Sequence, residues 1–305
     1  MNSKQPKFHK ISRTWKLMKK YRFIYLLLIP LLLYFVIFSY LPLFMGIIQS
    51  FQKTTLMGTS TWIGFDNYKE LFKNKDFINS IINGFIIGTG TLCLSFVLSL
   101  ILALGLNELS NSKLKSSIQT TTYLPHLFSW TVVGGIWINI LSPNGFVNNL
   151  LKSLGHQSIL FMSESKYAQI IMILTGAWKG IGYTAVLFMA SIVAINPNLF
   201  EAAQIDSASR WRQIRKIIIP ELKPTMATVL ILGLMGLFTN FDQVFVMGNP
   251  AIIQKIRTPL LFIYENGISR FNIGLATAGA VVILILTMVV TFLVRYLLKG
   301  EHLDV

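Results

Sequence analysis

The chain has 305 residues, 53% of them hydrophobic and 13% charged. Soluble domains carry about a quarter charged residues, so half that share excludes an ordinary water-soluble globule and points to lipid as the solvent. The net charge of +15 lies mainly in the N-terminal segment and short loops, which fits membrane orientation rather than nucleic-acid binding, and the single cysteine, Cys93, excludes an intrachain disulfide or a cysteine-based zinc site.

In chain order, residues 1–22 form a basic segment with eight Lys/Arg and no acid, and residues 23–305 read as one membrane domain. Six apolar stretches follow, at 23–48, 82–106, 122–141, 168–195, 225–247 and 273–298. Each is long enough to cross a hydrocarbon core of roughly 30 Å as a helix, which satisfies its own backbone polar groups. Pro30, Pro42 and Pro125 fall inside these stretches, where membrane helices tolerate them. The first stretch is too long for a cleaved signal and lacks a small-residue cleavage site, so it reads as a retained anchor with its N-terminus in the cytoplasm. Alternating from there, inner segments carry 17 Lys/Arg against 9 outside. That bias puts both termini inside. The expected fold is an all-α integral membrane protein with about six transmembrane helices.

The inner loop between spans four and five is patterned as two short helices. Pro197 suits a helix start; Phe200, Ala203 and Ser207 share one face, and Trp211, Ile214 and Ile217 another. Ser207 interrupts the pattern, and Pro220 is expected to stop it before the next span. By pattern alone, such a pair could lie on lipid headgroups or present a knob to a partner.

Within this loop, Glu201-Ala202-Ala203, Asp206, Ala208, Ile217 and Pro220 resemble the EAA motif of binding-protein-dependent ABC permeases. The motif's Gly is Ser207 here and its Leu is Ile219. Serine enters positive φ less easily than glycine. Further fragments resemble carbohydrate-type permeases of the same family: Trp62–Tyr68 with Phe77 and Asn83, Tyr123–His126, Val133–Trp137, Leu141–Pro143, and Asn240–Val244 with Asn249-Pro250. The resemblance covers nearly the whole chain. It implies that Glu201, Ala202, Ala203, Asp206, Ser207, Ala208, Ile217 and Pro220 couple the chain to a separate ATPase, with Glu201 pairing a basic side chain there. It also implies a second permease subunit (a heterodimer), two ATPase subunits or domains, an external solute-binding lipoprotein, and the cell membrane of a prokaryote as location. ATP and Mg belong to the partner ATPase, because this chain has no G-x-x-x-x-G-K-S/T phosphate loop and binds no cofactor of its own.

Lys179 and Asp242 are the ionisable residues deepest in the expected spans. Each costs about 2.5–3.5 kcal/mol to insert and should face protein or water. They are expected within reach of one another, either as a packing pair or as part of the substrate path. Tyr183, Asn240 and Trp137 are the other candidates for that path, and Trp130 and Trp178 could also stack on sugar rings. His126 reads as a capping or interface residue. The histidines show no metal spacing, and no Ser/His/Asp arrangement supports a hydrolase. The expected function is carbohydrate import, with this chain forming the translocation path and ATP hydrolysis on a separate chain. A peptide or lipid-linked solute on the same architecture, a membrane-embedded enzyme and a scaffold remain the alternatives.

Overall fold

The computed structural model describes residues 20–54 and 60–299. Most of the basic segment 1–22 therefore lies outside the described residues. The chain opens with α1 (Arg22–Gln49), whose apolar window has no buried residue. A β-hairpin pairs β1 (Gln52–Lys53) with β2 (Thr61–Trp62), and α2 (Asp66–Lys73) leads into the long α3 (Lys75–Glu108). Then come α4 (Ser112–Leu127), α5 (Trp130–Ile140), α6 (Phe146–Ser153) and α7 (Ser165–Val193). The inner loop is α8 (Pro197–Ile205) and α9 (Arg210–Glu221), the latter bent by 56° against α10 (Lys223–Met235). Short helices α11 (Asp242–Met247), α12 (Ile253–Ile256) and α13 (Pro259–Tyr264) precede the final α14 (Ile273–Lys299).

Among the described residues, four helices are long and apolar enough to cross a membrane, or five if the bent pair α9–α10 counts as one. Two of the six expected spans are corrected. The stretch 122–141 is not one helix: Phe128 is extended, and Ser129 starts α5 by accepting the Val132 N–H at 3.5 Å. The stretch 225–247 stops at Met235, where Gly236 ends α10, and resumes only at Asp242. Hydropathy averages over a window and passes through both breaks, whereas local backbone geometry, with a Ser129 cap at α5, decides where a helix restarts.

Prolines are accommodated by widened turns. The π turns at Val36–Tyr40 and Ile214–Ile218 lie just ahead of Pro42 and Pro220, where the ring and the missing N–H would strain a regular helix. The helix stops near Pro220, before the next span, as expected. It runs on to Glu221, and the bend falls at Leu222.

Three apolar clusters hold the bundle. One joins α3, α7 and α11–α13 through Ile87, Met172, Val244 and Ile256. A second, at the other end of α3 and α7, joins Leu106, Phe188 and Ile192 to Ile218 and Leu222 of the inner-loop region. A third packs α14 against α2 and α3 through Leu71, Phe77, Phe262 and Leu275. Backbones approach closely where side chains are absent: a methyl at Gly182 of α7 would overlap the Thr122 carbonyl of α4. Small residues allow such packing in membranes, where the hydrophobic effect cannot draw helices together.

The motif at Trp62–Tyr68 is a structural device. Asn67 is buried and donates to the carbonyls of Ser50 and Gln52, both at 2.9 Å, while the Tyr68 hydroxyl meets Ser50 Oγ at 2.7 Å. Phe51 stacks on Trp62 and meets Phe65 edge-on. Asn83 acts similarly, donating to the Gln254 and Arg257 carbonyls and accepting from Gln169. Arg257, itself buried, lies 3.3 Å from Asp76 and 3.0 Å from Glu265. Its Nε contact is ionic, without the angle of a hydrogen bond.

Candidate functional site

The inner loop is a compact, hydrogen-bonded turn. At the end of α8 the Ser207 N–H donates to Gln204 O (3.0 Å) and the Ala208 N–H to Ala203 O (2.8 Å). These are the two bonds of a Schellman motif, in which the residue after the cap adopts the left-handed conformation. Ser207 does so, with φ 51°. The motif's glycine position is thus a conformational requirement that serine meets at some cost in strain. Ser209 then caps α9, and the buried Gln213 donates to Ala208 O at 3.2 Å. Arg210 ties the turn to α3 by reaching Glu108 (3.1 Å) and Gln213 (3.0 Å).

One side of this unit is packed. Phe200, Ile214 and Ile217 lie against the cluster of Leu106, Phe188 and Ile192. The other side is open. Trp211, expected beside Ile214 and Ile217, is instead 70% exposed, and Ile205 is 85% exposed. Glu201 and Asp206 are exposed too and have no ion-pair partner among the described residues. Asp206 caps the C-terminal end of α8, where the helix dipole disfavours an acid. Two apolar side chains and two unpaired acids therefore face outward from a rigid turn. Sequence reasoning did not single out Ile205 or Gln213 and grouped Trp211 with the residues that are packed, because helical periodicity does not say which face a short helix buries.

A cavity of about 380 Å³ lies among α3, α5, α7, α10, α11 and the segment between α10 and α11. Its polar wall includes Thr91, Ser95, Thr184, Asn240 and Gln243, and Trp130 and Tyr183 supply its aromatic surface. No lining residue is charged. Gln243 is buried and fully engaged: it donates to Met172 O and Thr175 Oγ1, both at 2.8 Å, and accepts from Asn240 at 2.7 Å. Asn240 is further held by its carbonyl, which accepts from Thr258 at 2.6 Å. Five glycines share the lining. A methyl at Gly88, one of them, would overlap the Leu237 carbonyl.

Of the five residues expected on the path, Tyr183 and Asn240 line this cavity and Lys179 flanks it. Asp242 and Trp137 do not line it. Trp137 packs edge-on against Trp178 at 5.4 Å, and Asp242 is exposed in the first turn of α11. The Lys179–Asp242 contact is absent. Lys179 Nζ donates instead to the His126 carbonyl at 2.9 Å and lies 5.6 Å from the Trp130 ring centroid. His126 is near the end of α4, where carbonyls lack intrahelical partners and the dipole favours a cation. The break in the third expected span thus supplies the lysine with a hydrogen-bond acceptor. Gln243 was legible only as part of the Asn240–Val244 fragment, three residues from Asn240.

A helical membrane bundle with an uncharged polar cavity, bearing a hydrogen-bonded turn with open acidic and apolar groups, has the architecture of a transport subunit. The description "Binding-protein-dependent transport system inner membrane component" matches residues 95–301, and the chain belongs to that family. It is 33% identical over 288 residues to Protein LplB of Bacillus subtilis, covering 92% of this chain and 90% of that protein. It is 28% identical to the polygalacturonan/rhamnogalacturonan transport system permease protein YteP of the same organism, covering 92% and 89%. A chain of a bacterial ABC transporter involved in the import of the acidic polysaccharide alginate superposes with TM-score 0.86 at 30% identity, covering 94% of this chain and 99% of that one.

Proposed function

We propose that this chain is one permease subunit of an ABC importer for oligosaccharides in the cytoplasmic membrane of a prokaryote. The observation that carries this reading is the match to the alginate importer chain, which extends over 94% of the sequence. Relatives that transport polygalacturonan or rhamnogalacturonan and arabinooligosaccharides support a saccharide rather than a peptide or lipid-linked solute. The cavity suits that cargo, since hydroxyls and amides bond sugar hydroxyls while Trp130 and Tyr183 offer faces to sugar rings.

In this reading the chain crosses the membrane six times with both termini inside. The broken pair α4–α5 makes the third crossing and α10 with the segment to α11 the fifth. A second permease closes the open side of the cavity, and a solute-binding lipoprotein delivers the sugar from outside. Two ATPase subunits bind ATP and Mg and receive α8 and α9 of this chain and the equivalent loop of the other. Glu201 and Asp206 meet basic side chains of the ATPase, and Trp211 and Ile205 fill apolar hollows in it. Because Ile214, Ile217 and Ile218 pack on α3 and α7, movement of the turn is carried to helices that line the cavity.

Reconstitution of the permease pair with its ATPase and binding protein in proteoliposomes tests this proposal. ATP-driven uptake of labelled oligosaccharides, dependent on the binding protein, is expected. Uptake of peptides with no response to any saccharide would overturn it.

A further inference from the structure

The cavity wall is uncharged, yet a cation stands directly beside it. On α7, Lys179 stands three residues after the lining Gly176 and four before the lining Tyr183, so it shares their side of the helix. Its ammonium lies near the face of Trp130, which is itself part of the wall. The His126 ring stacks on Tyr183 at 4.5 Å, so the lysine, two aromatic wall residues and the end of α4 form one connected group.

An ammonium carries three donors. One is used by the His126 carbonyl, and no carboxylate among the described residues lies within ion-pair distance of Lys179. A helix-capping role alone does not need a full charge, since a serine or asparagine side chain satisfies a terminal carbonyl at far lower cost of burial. We propose that Lys179 recognises an anionic sugar, and that the cargo is a carboxylated, uronate-containing oligosaccharide. The proposal rests on the saccharide-import reading and narrows it. A single ammonium matches one carboxylate per ring. One ammonium balances a carboxylate monoanion but leaves half the charge of a phosphate dianion uncompensated, and the cavity wall holds no second cation. Trp130 and Tyr183 would take the ring faces while Lys179 takes the carboxylate.

The experiment compares trigalacturonate with its fully methyl-esterified form, which keeps the rings and removes the charge. Binding to the purified permease–ATPase complex without binding protein is read by calorimetry, and uptake is read in proteoliposomes of the complete importer. The wild type is expected to prefer the acid. Lys179→Gln should weaken binding and uptake of the acid by about tenfold or more, the size of one charge-assisted hydrogen bond. It should change the ester less than twofold, and Lys179→Arg should restore most of the preference. Equal wild-type binding of acid and ester would overturn the inference, whether or not the variant folds. So would an equal loss of both ligands in Lys179→Gln, which marks Lys179 as a helix cap only. In either case uptake of the ester or of neutral oligosaccharides leaves the saccharide reading standing. No uptake of any saccharide by the wild type would remove both.

Discussion

Ser207 shows how one residue carries a local requirement. Its left-handed backbone follows from the two Schellman bonds, and a residue without Cβ would meet that requirement at no steric cost. Ser207→Gly should therefore retain uptake and ATPase association. Ser207→Val places a β-branched side chain at positive φ, which costs about 1–3 kcal/mol, and should lower both. Equal uptake by the two variants would show that the turn does not need this geometry. Arg257 is the residue-scale anchor of the other end of the bundle. It is buried while Asp76 and Glu265 are partly exposed, so solvent screens part of the attraction. Arg257→Ala should cost about 1–3 kcal/mol, less than the loss of a fully buried partner, and lower the melting temperature of the detergent-solubilised protein. Arg257→Lys should recover only part, because a point charge replaces a fork that reaches two acids.

At the scale of elements, the α8–α9 pair divides its side chains between two jobs. Phe200, Ile214 and Ile217 fasten it to α3 and α7, while Glu201, Ile205 and Trp211 face away. Interface energy concentrates in large exposed anchors, so Trp211→Ala is expected to weaken ATPase co-purification by about 2 kcal/mol or more with normal membrane insertion. Glu201→Lys should do the same by replacing attraction with repulsion, an effect on the order of several kcal/mol where water is excluded. Wild-type co-purification and uptake in both variants would reject this face as the docking surface. Much of the pair was legible beforehand. Pro197 starts α8 and Ser207 parts it from α9, as local chemistry predicts. The stop near Pro220 was legible too, although a π turn ahead of the proline lets the helix run one residue past it. The outward turn of Trp211 was not legible, since it depends on where α3 and α7 lie.

For the whole molecule, the charge bias predicts which end faces the cytoplasm. Ser163 and Ser209 are both exposed and lie on opposite sides in the proposed topology. With Cys93 replaced, because it is itself exposed, a cysteine at Ser163 should react with an impermeant thiol reagent on intact cells. A cysteine at Ser209 should react only after the membrane is opened. Equal labelling of the two in intact cells would invert or abolish the proposed orientation.

Composition and hydropathy alone determined that this is a helical membrane protein, because transfer of a segment into lipid depends on its own residues. The interruption of the helical pattern at Ser207 was likewise local, because a Schellman motif closes within six residues. The tertiary structure decided the rest. Lys179 meets His126 across 53 positions, and Asn83 meets Arg257 across 174. Such contacts depend on which helices become neighbours, and the pairing expected for Lys179 failed because a helix end offered it an unpaired carbonyl nearer than any acid. The cavity belongs to the same level, since its wall is assembled from five helices and the segment between α10 and α11.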